Sequence, residues 1–177
     1  MRRLAVAVMV AALPLGGAVA EGQLQLTDEV KARLGELVVL RGDGVGPSNF
    51  DGRPVVVTFF ASWCPPCAAE FREIGAYIEE EGPDKISVIA VNWIEDFVGP
   101  PRQSRFNRML GLIHPTIPVL KGDARTGEDF GGVLSIPAAY IFDAEGREVF
   151  RLGGDAGPHG RHFLRRGQLA SVIDGLS

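Results

Sequence analysis

Val55-Val56-Val57-Thr58-Phe59-Phe60-Ala61-Ser62-Trp63-Cys64-Pro65-Pro66-Cys67 carries the reading of this chain. From Val55 to Phe60 every residue but Thr58 is apolar, and a continuous apolar run marks a strand buried on both faces. Cys64 and Cys67 follow directly, and they are the only cysteines in the sequence. A dithiol at the mouth of a helix can shuttle between thiols and a disulfide, because the helix N-terminus offers partial positive charge to a thiolate. Tetrahedral zinc takes about four ligands. The remaining soft donors, His114, His159 and His162, stand far away in sequence, so the pair reads as a redox site and no metal site is expected.

Working outward, a helix from about Pro65 to Glu80 presents Phe71, Ile74 and Ile78 at helical spacing, and a second apolar strand runs from Ile86 to Val91. Strand, helix and strand with both strands apolar throughout is the signature of a parallel pair. A helix from about Arg102 to Leu110 and a short strand from Ile117 to Leu120 come next. Ala138 to Phe142 and Arg147 to Leu152 flank Asp143-Ala144-Glu145-Gly146, which predicts an antiparallel hairpin. Arg161 to Ile173 reads as a last helix interrupted by Gly167. On the N-terminal side, Thr27 caps a short helix through Leu34, a strand spans Leu37 to Leu40, and the Gly-, Pro- and Asn-rich stretch from Arg41 to Pro54 is a loop. The expected architecture is α/β, with a central mixed sheet and helices on both faces.

The first twenty residues address the chain. Arg2 and Arg3 form a basic start, Leu4 to Leu15 an apolar stretch, and Ala18-Val19-Ala20 a small-residue cleavage site before Glu21. Residues 1–20 thus read as a secretory signal that is cleaved, leaving 21–177 as one domain; the alternative is a retained membrane anchor facing the periplasm. Removal takes two arginines and no acid from a chain whose net charge is already −4. An acidic domain of this kind is not expected to bind nucleic acid. In an oxidising compartment structural disulfides close longer loops, so a pair this close is kept for exchange.

The segment Val55 to Phe71, with Val88-Ile89-Ala90-Val91-Asn92 and Ser135-Ile136-Pro137-Ala138-Ala139-Tyr140-Ile141-Phe142-Asp143, resembles the thioredoxin superfamily, and within it the exported TlpA/ResA-like branch that includes the cytochrome c maturation reductases. The resemblance implies a thioredoxin-like fold and a periplasmic thiol-disulfide oxidoreductase with no cofactor beyond its own redox-active disulfide. Cys64, at the helix start with its sulfur exposed, is the expected attacking thiolate, and the more buried Cys67 the resolving one. Pro65 and Pro66 stiffen the loop and lack N–H groups, which limits the donors available to the Cys64 thiolate and favours a reducing dithiol.

The same resemblance implies that Pro137 is cis and packs beside the dithiol, that Ile136 offers backbone groups to a substrate strand, and that Trp63 shields the pair and supplies an apolar contact. Glu70, three residues after Cys67, matches a glutamate used near the active site in this branch. Thr58 stands where thioredoxins proper carry a buried acid. The implied partners are protein thiols and disulfides, such as apocytochrome c or copper-site proteins, with an upstream membrane thiol reductant, and the protein is expected to act as a monomer. The competing class is a copper-binding metallochaperone of the same fold. Such proteins place three residues between their cysteines and a histidine beside them, whereas two residues separate Cys64 from Cys67.

Overall fold

The computed structural model describes residues 23–153 and 163–176. The signal-peptide reading of residues 1–20, and His159 and His162, lie outside the described residues. In chain order the elements are α1 (Asp28–Glu36), β1 (Val38–Arg41), β2 (Val55–Phe60), α2 (Pro65–Glu81), β3 (Ser87–Asn92), α3 (Gln103–Leu110), β4 (Val119–Lys121), α4 (Ala124–Asp129), β5 (Ala138–Phe142), β6 (Glu148–Leu152) and α5 (Arg166–Asp174). The strands form one mixed sheet in the order β1-β4-β3-β2-β5-β6. Its parallel centre comprises β2 with β3 and β3 with β4, while β5 pairs antiparallel with β2 on the other side.

Because strand side chains alternate between faces, β2 feeds two cores at once. Val56 and Phe60 pack with Phe71, Ile74, Tyr77 and Ile78 of α2, Met109 of α3 and Leu169 and Ile173 of α5. Val55, Val57 and Phe59 pack with Val30 and Leu34 of α1 and with Phe130 just beyond α4. The expected α/β sandwich with helices on both faces is therefore the fold observed. Thr58 lies between Val56 and Phe60 and is fully buried; the alternation turns it toward the face that α2 covers.

Two elements depart from expectation. Ala124–Asp129 forms a one-and-a-half-turn helix that the sequence does not announce, since six residues cannot show an apolar stripe. What starts it is local: Asp123 accepts the Thr126 N–H at 2.8 Å. Gly127 is required inside it, because a Cβ there would lie 2.6 Å from the Trp93 ring. The last helix begins at Arg166, not near Arg161. Residues 163–165 are not helical, and two nearby N–H groups go to α2 instead: Leu164 to Glu70 at 2.8 Å and Arg166 to Glu73 at 2.9 Å. Leu164 is nonetheless buried, so its place in the apolar stripe reflects packing and not helix.

Arg41 closes the sheet edge onto the chain that leaves α3. Its guanidinium donates to the carbonyls of Leu110, Ile113, His114 and Ile117 at 2.7 to 3.0 Å. The carbonyls of Leu110 and His114 also accept the turn N–H groups of Ile113 and Ile117 at 3.2 and 3.0 Å, and Arg41 adds a charged donor to all four beyond the end of the helix. Arg41→Ala should therefore lower unfolding free energy by about 3 kcal/mol, with Arg41→Lys recovering less than half of it, because an ammonium cannot span the four acceptors. Urea denaturation of the three proteins measures this, and equal stability of wild type and Arg41→Ala would contradict it.

Candidate active site

β2 ends at Phe60, and the turn that follows delivers Cys64 to the N-cap of α2 with extended backbone dihedrals, φ −94° and ψ 104°. Pro65 and Pro66 occupy the first two helical positions, where a missing N–H costs nothing and a fixed φ suits the helix. The first N–H able to reach the cap is that of Cys67, and it donates to Cys64 Sγ at 3.2 Å. No acidic residue stands in the first turn of α2, so nothing there opposes negative charge on Cys64. Cys64 and Cys67 form a disulfide.

The sulfur expected to be exposed is largely covered. Cys64 is 3 % exposed and Cys67 1 %, and both belong to the apolar cluster against which Trp63 and Ile136 pack. The order of exposure follows the sequence expectation, but the magnitude does not. The turn from β2 is short, so the helix start is drawn down onto the sheet with its aromatic neighbour.

Glu70 sits one turn beyond Cys67 on the same side of α2. It is not a solvated helix carboxylate, being 1 % exposed. Thr58 donates its hydroxyl to Oε1 at 2.5 Å, and the Leu164 N–H donates to Oε2 at 2.8 Å. Burial pushes the carboxyl up to about 7, against the lowering effect of the two hydrogen bonds. The Thr58 hydroxyl can donate to a carboxylate or accept from a carboxylic acid, so the contact survives both protonation states. Sequence reasoning did not find Leu164 as a partner, because a backbone N–H leaves no mark in a sequence.

The Ile136-Pro137 peptide is cis. Ala138 pairs with Phe59 in the β2/β5 ladder, so Pro137 stands opposite the end of β2, where the turn to Cys64 begins. Pro137 is buried, and Ile136 is half-buried against both cores. Gly153 backs this corner: at φ +71° it comes so close that a Cβ would lie 2.3 Å from the Pro137 carbonyl oxygen. Trp63 is half-buried; its indole N–H donates to the Ile94 carbonyl at 3.3 Å, and its ring stacks on Phe97. Pro65 is exposed and Pro66 half-buried. The fold thus gathers Trp63, Cys64, Pro65, Pro66, Cys67 and Glu70 at the head of α2, with Ile136 and Pro137 arriving from the β5 side. Among the described residues no group of three or more His, Cys, Asp or Glu is placed to hold a metal ion.

Comparison with known proteins matches residues 30–156 to the model of a family described as Redoxin. The chain is 30 % identical over 108 residues to the thiol:disulfide interchange protein DsbE of Escherichia coli K12, covering 60 % of this chain and 53 % of that protein. It is 29 % identical over 110 residues to the thioredoxin-like protein YneN of Bacillus subtilis 168, covering 62 % of each. The chain spans about half the length of the DsbE relatives it matches. Among solved structures, the exposed lipoprotein thioredoxin Etrx1 of Streptococcus pneumoniae TIGR4 superposes with a TM-score of 0.57 at 25 % identity, over 79 % of this chain and 99 % of that one. The fold is thioredoxin-like.

The raised carboxyl at Glu70 has a consequence for stability. Between the ordinary value of 4.5 and the folded value of about 7, the folded protein holds a proton that the unfolded chain has released. Stability from this group is thus fully present below pH 4.5 and is lost as pH rises through about 7. The loss amounts to about 3 kcal/mol. Urea unfolding of wild type and Glu70→Gln at several pH values should show the wild type losing ground to the variant between pH 5 and 8; a constant difference would refute it.

Proposed function

The chain belongs to the Redoxin family, and on that footing we propose that it is an exported thiol-disulfide oxidoreductase that reduces disulfides of partner proteins with the Cys64/Cys67 pair. The observation that carries the reading is the arrangement at the head of α2: Cys64 at the cap, Cys67 behind it, and Glu70 buried one turn further with a carboxyl pushed up to about 7. In the proposed reaction the Cys64 thiolate attacks one sulfur of a partner disulfide, forming a mixed disulfide and releasing the partner's other sulfur as a thiolate that takes up a proton. Cys67 then gives its proton to the Glu70 carboxylate and attacks Cys64 Sγ, and the second partner sulfur leaves as a thiolate that takes up a proton from solvent. Two electrons pass from the dithiol to the partner, leaving the Cys64–Cys67 disulfide. The groups ready for this are a sulfur with one backbone donor and a carboxyl that titrates near neutrality.

The reducing direction is supported by how little stabilises a Cys64 thiolate. With Pro65 and Pro66 supplying no N–H, Cys67 provides the backbone donor recorded at Sγ, and a thiolate held by few donors makes its dithiol a better reductant. Residues 1–20, with their basic start, apolar stretch and Ala18-Val19-Ala20, support export to the periplasm. Among the described residues no helix is long and apolar enough to cross a membrane. Protein disulfides in the periplasm, including those of apocytochrome c or copper-site proteins, are the proposed substrates, and a membrane thiol reductant would restore the dithiol.

The reduced protein should cleave the interchain disulfides of insulin, and Cys64→Ser should abolish turnover; full activity in that variant would sink the mechanism. Titration against dithiothreitol should place the midpoint potential of the pair near or below about −270 mV, whereas a value near −120 mV would make it an oxidant. Glu70→Gln should lower the exchange rate on the order of a hundredfold and remove the inflection near pH 7, and an unaltered pH profile would exclude Glu70 from proton transfer.

A further inference from the structure

Beside the dithiol stands a polar network that the exchange chemistry does not use. Glu95, three residues past β3, accepts the Ser62 N–H and the Asn92 side-chain amide on Oε2, each at 2.8 Å, and the Ser62 hydroxyl on Oε1. Arg105 of α3 donates to Ser62 Oγ at 3.1 Å and stands 3.9 Å from Glu95 Oε1. Ser62 and Asn92 are buried. The backbone two residues before Cys64 is therefore tied to the loop that follows β3.

That loop is bent in an unusual way. Ile94 has φ 45°, a left-handed conformation costing about 1 to 3 kcal/mol in a β-branched residue, which persists only where its surroundings over-determine it. Here the surroundings are Glu95 bonded to Ser62 on one side and the Trp63 indole bonded to the Ile94 carbonyl on the other. The bend presents Phe97 to the Trp63 ring, with centroids 5.8 Å apart and planes inclined by 29°. Phe97 is 75 % exposed and Val98 52 %, so neither is there to fill a core.

We propose that Glu95 is a positioning residue that holds the Trp63–Phe97 pair as an apolar shelf, and that this shelf selects partner cysteines flanked by an apolar side chain. The inference rests on the exchange reading above. In a mixed disulfide the Cα atoms of the two cysteines stand about 4.4 to 6.8 Å apart, and the Trp63 Cα lies about 3.8 Å from that of Cys64. The residue next to the partner's cysteine is therefore held within side-chain reach of the shelf. An apolar side chain there covers exposed aromatic surface, while a small polar one leaves it wet. With Cys64 nearly covered, access governs exchange, and a contact that holds the partner in place acts on that step.

The test uses two disulfide-linked peptides that differ only in having Leu or Ser on each side of the cysteine. Reduced wild type should favour the Leu peptide by about tenfold in kcat/KM. Phe97→Ala should bring that ratio near one, chiefly through KM, with no change in Tm. Glu95→Ala should do the same, Glu95→Gln should recover most of the preference, and adding Glu95→Ala to Phe97→Ala should lower the ratio no further. A wild-type ratio of one, or a full preference retained in Phe97→Ala, overturns the shelf, and this arm stands even where Glu95→Ala fails to fold. A Glu95→Ala protein that loses activity on both peptides in equal proportion overturns the positioning role. Wild type inert toward both peptides fails the exchange reading itself, whereas activity on both without preference fails this inference alone.

Discussion

Strand β2 is hydrogen-bonded along both edges, to β3 and to β5, and buried on both faces. A strand so confined cannot slip by one residue without turning its whole apolar set to the wrong core. Its end is thereby a fixed point, and so is the turn that carries Ser62, Trp63 and Cys64 away from it. The same confinement orients Thr58 toward α2 and holds Ala138, with Pro137 before it, at the register of Phe59. The site is built on a position that the core has already decided.

On that frame the polar groups near the sulfurs are few and each has partners. Glu70 is held by a hydroxyl from the central strand and a backbone N–H from the approach to α5. An ionised carboxylate in so dry a place is costly, and two donors offset only part of the cost, which leaves the group near neutrality. Ser62 and Glu95 play a different part, fixing the backbone upstream of Cys64 and tying it to the loop that carries Phe97. Burial and bonding pattern separate the two carboxylates: Glu70 is buried with two donors and raised to about 7, and Glu95 is bonded to Ser62 and Asn92.

Much of the fold was legible because it rests on periodicity. The apolar runs at Val55–Phe60 and Ile86–Val91, the helical stripe of Phe71, Ile74 and Ile78, and the Gly146 hairpin all survive into the structure with boundaries shifted by a residue or so. The helix at Ala124–Asp129 and the late start of α5 were not legible. The first is too short to carry a stripe, and the second depends on N–H groups bonding to glutamates almost a hundred residues earlier in the chain.

The sequence by itself determined the dithiol, its place at a helix start and the two prolines that strip donors from it, because these are matters of residue type and short spacing; Glu70 and Pro137 entered as its neighbours through the resemblance to the thioredoxin superfamily. Tertiary structure alone decided how deeply each group is buried and what it bonds to. It covered Cys64, placed Thr58 and Leu164 on Glu70, and tied Ser62 to Glu95 across 33 residues. Burial and long-range hydrogen bonds arise only when distant segments share a core. The acidity of Glu70 and the shelf beside Trp63 belong to the folded chain and to no stretch of it.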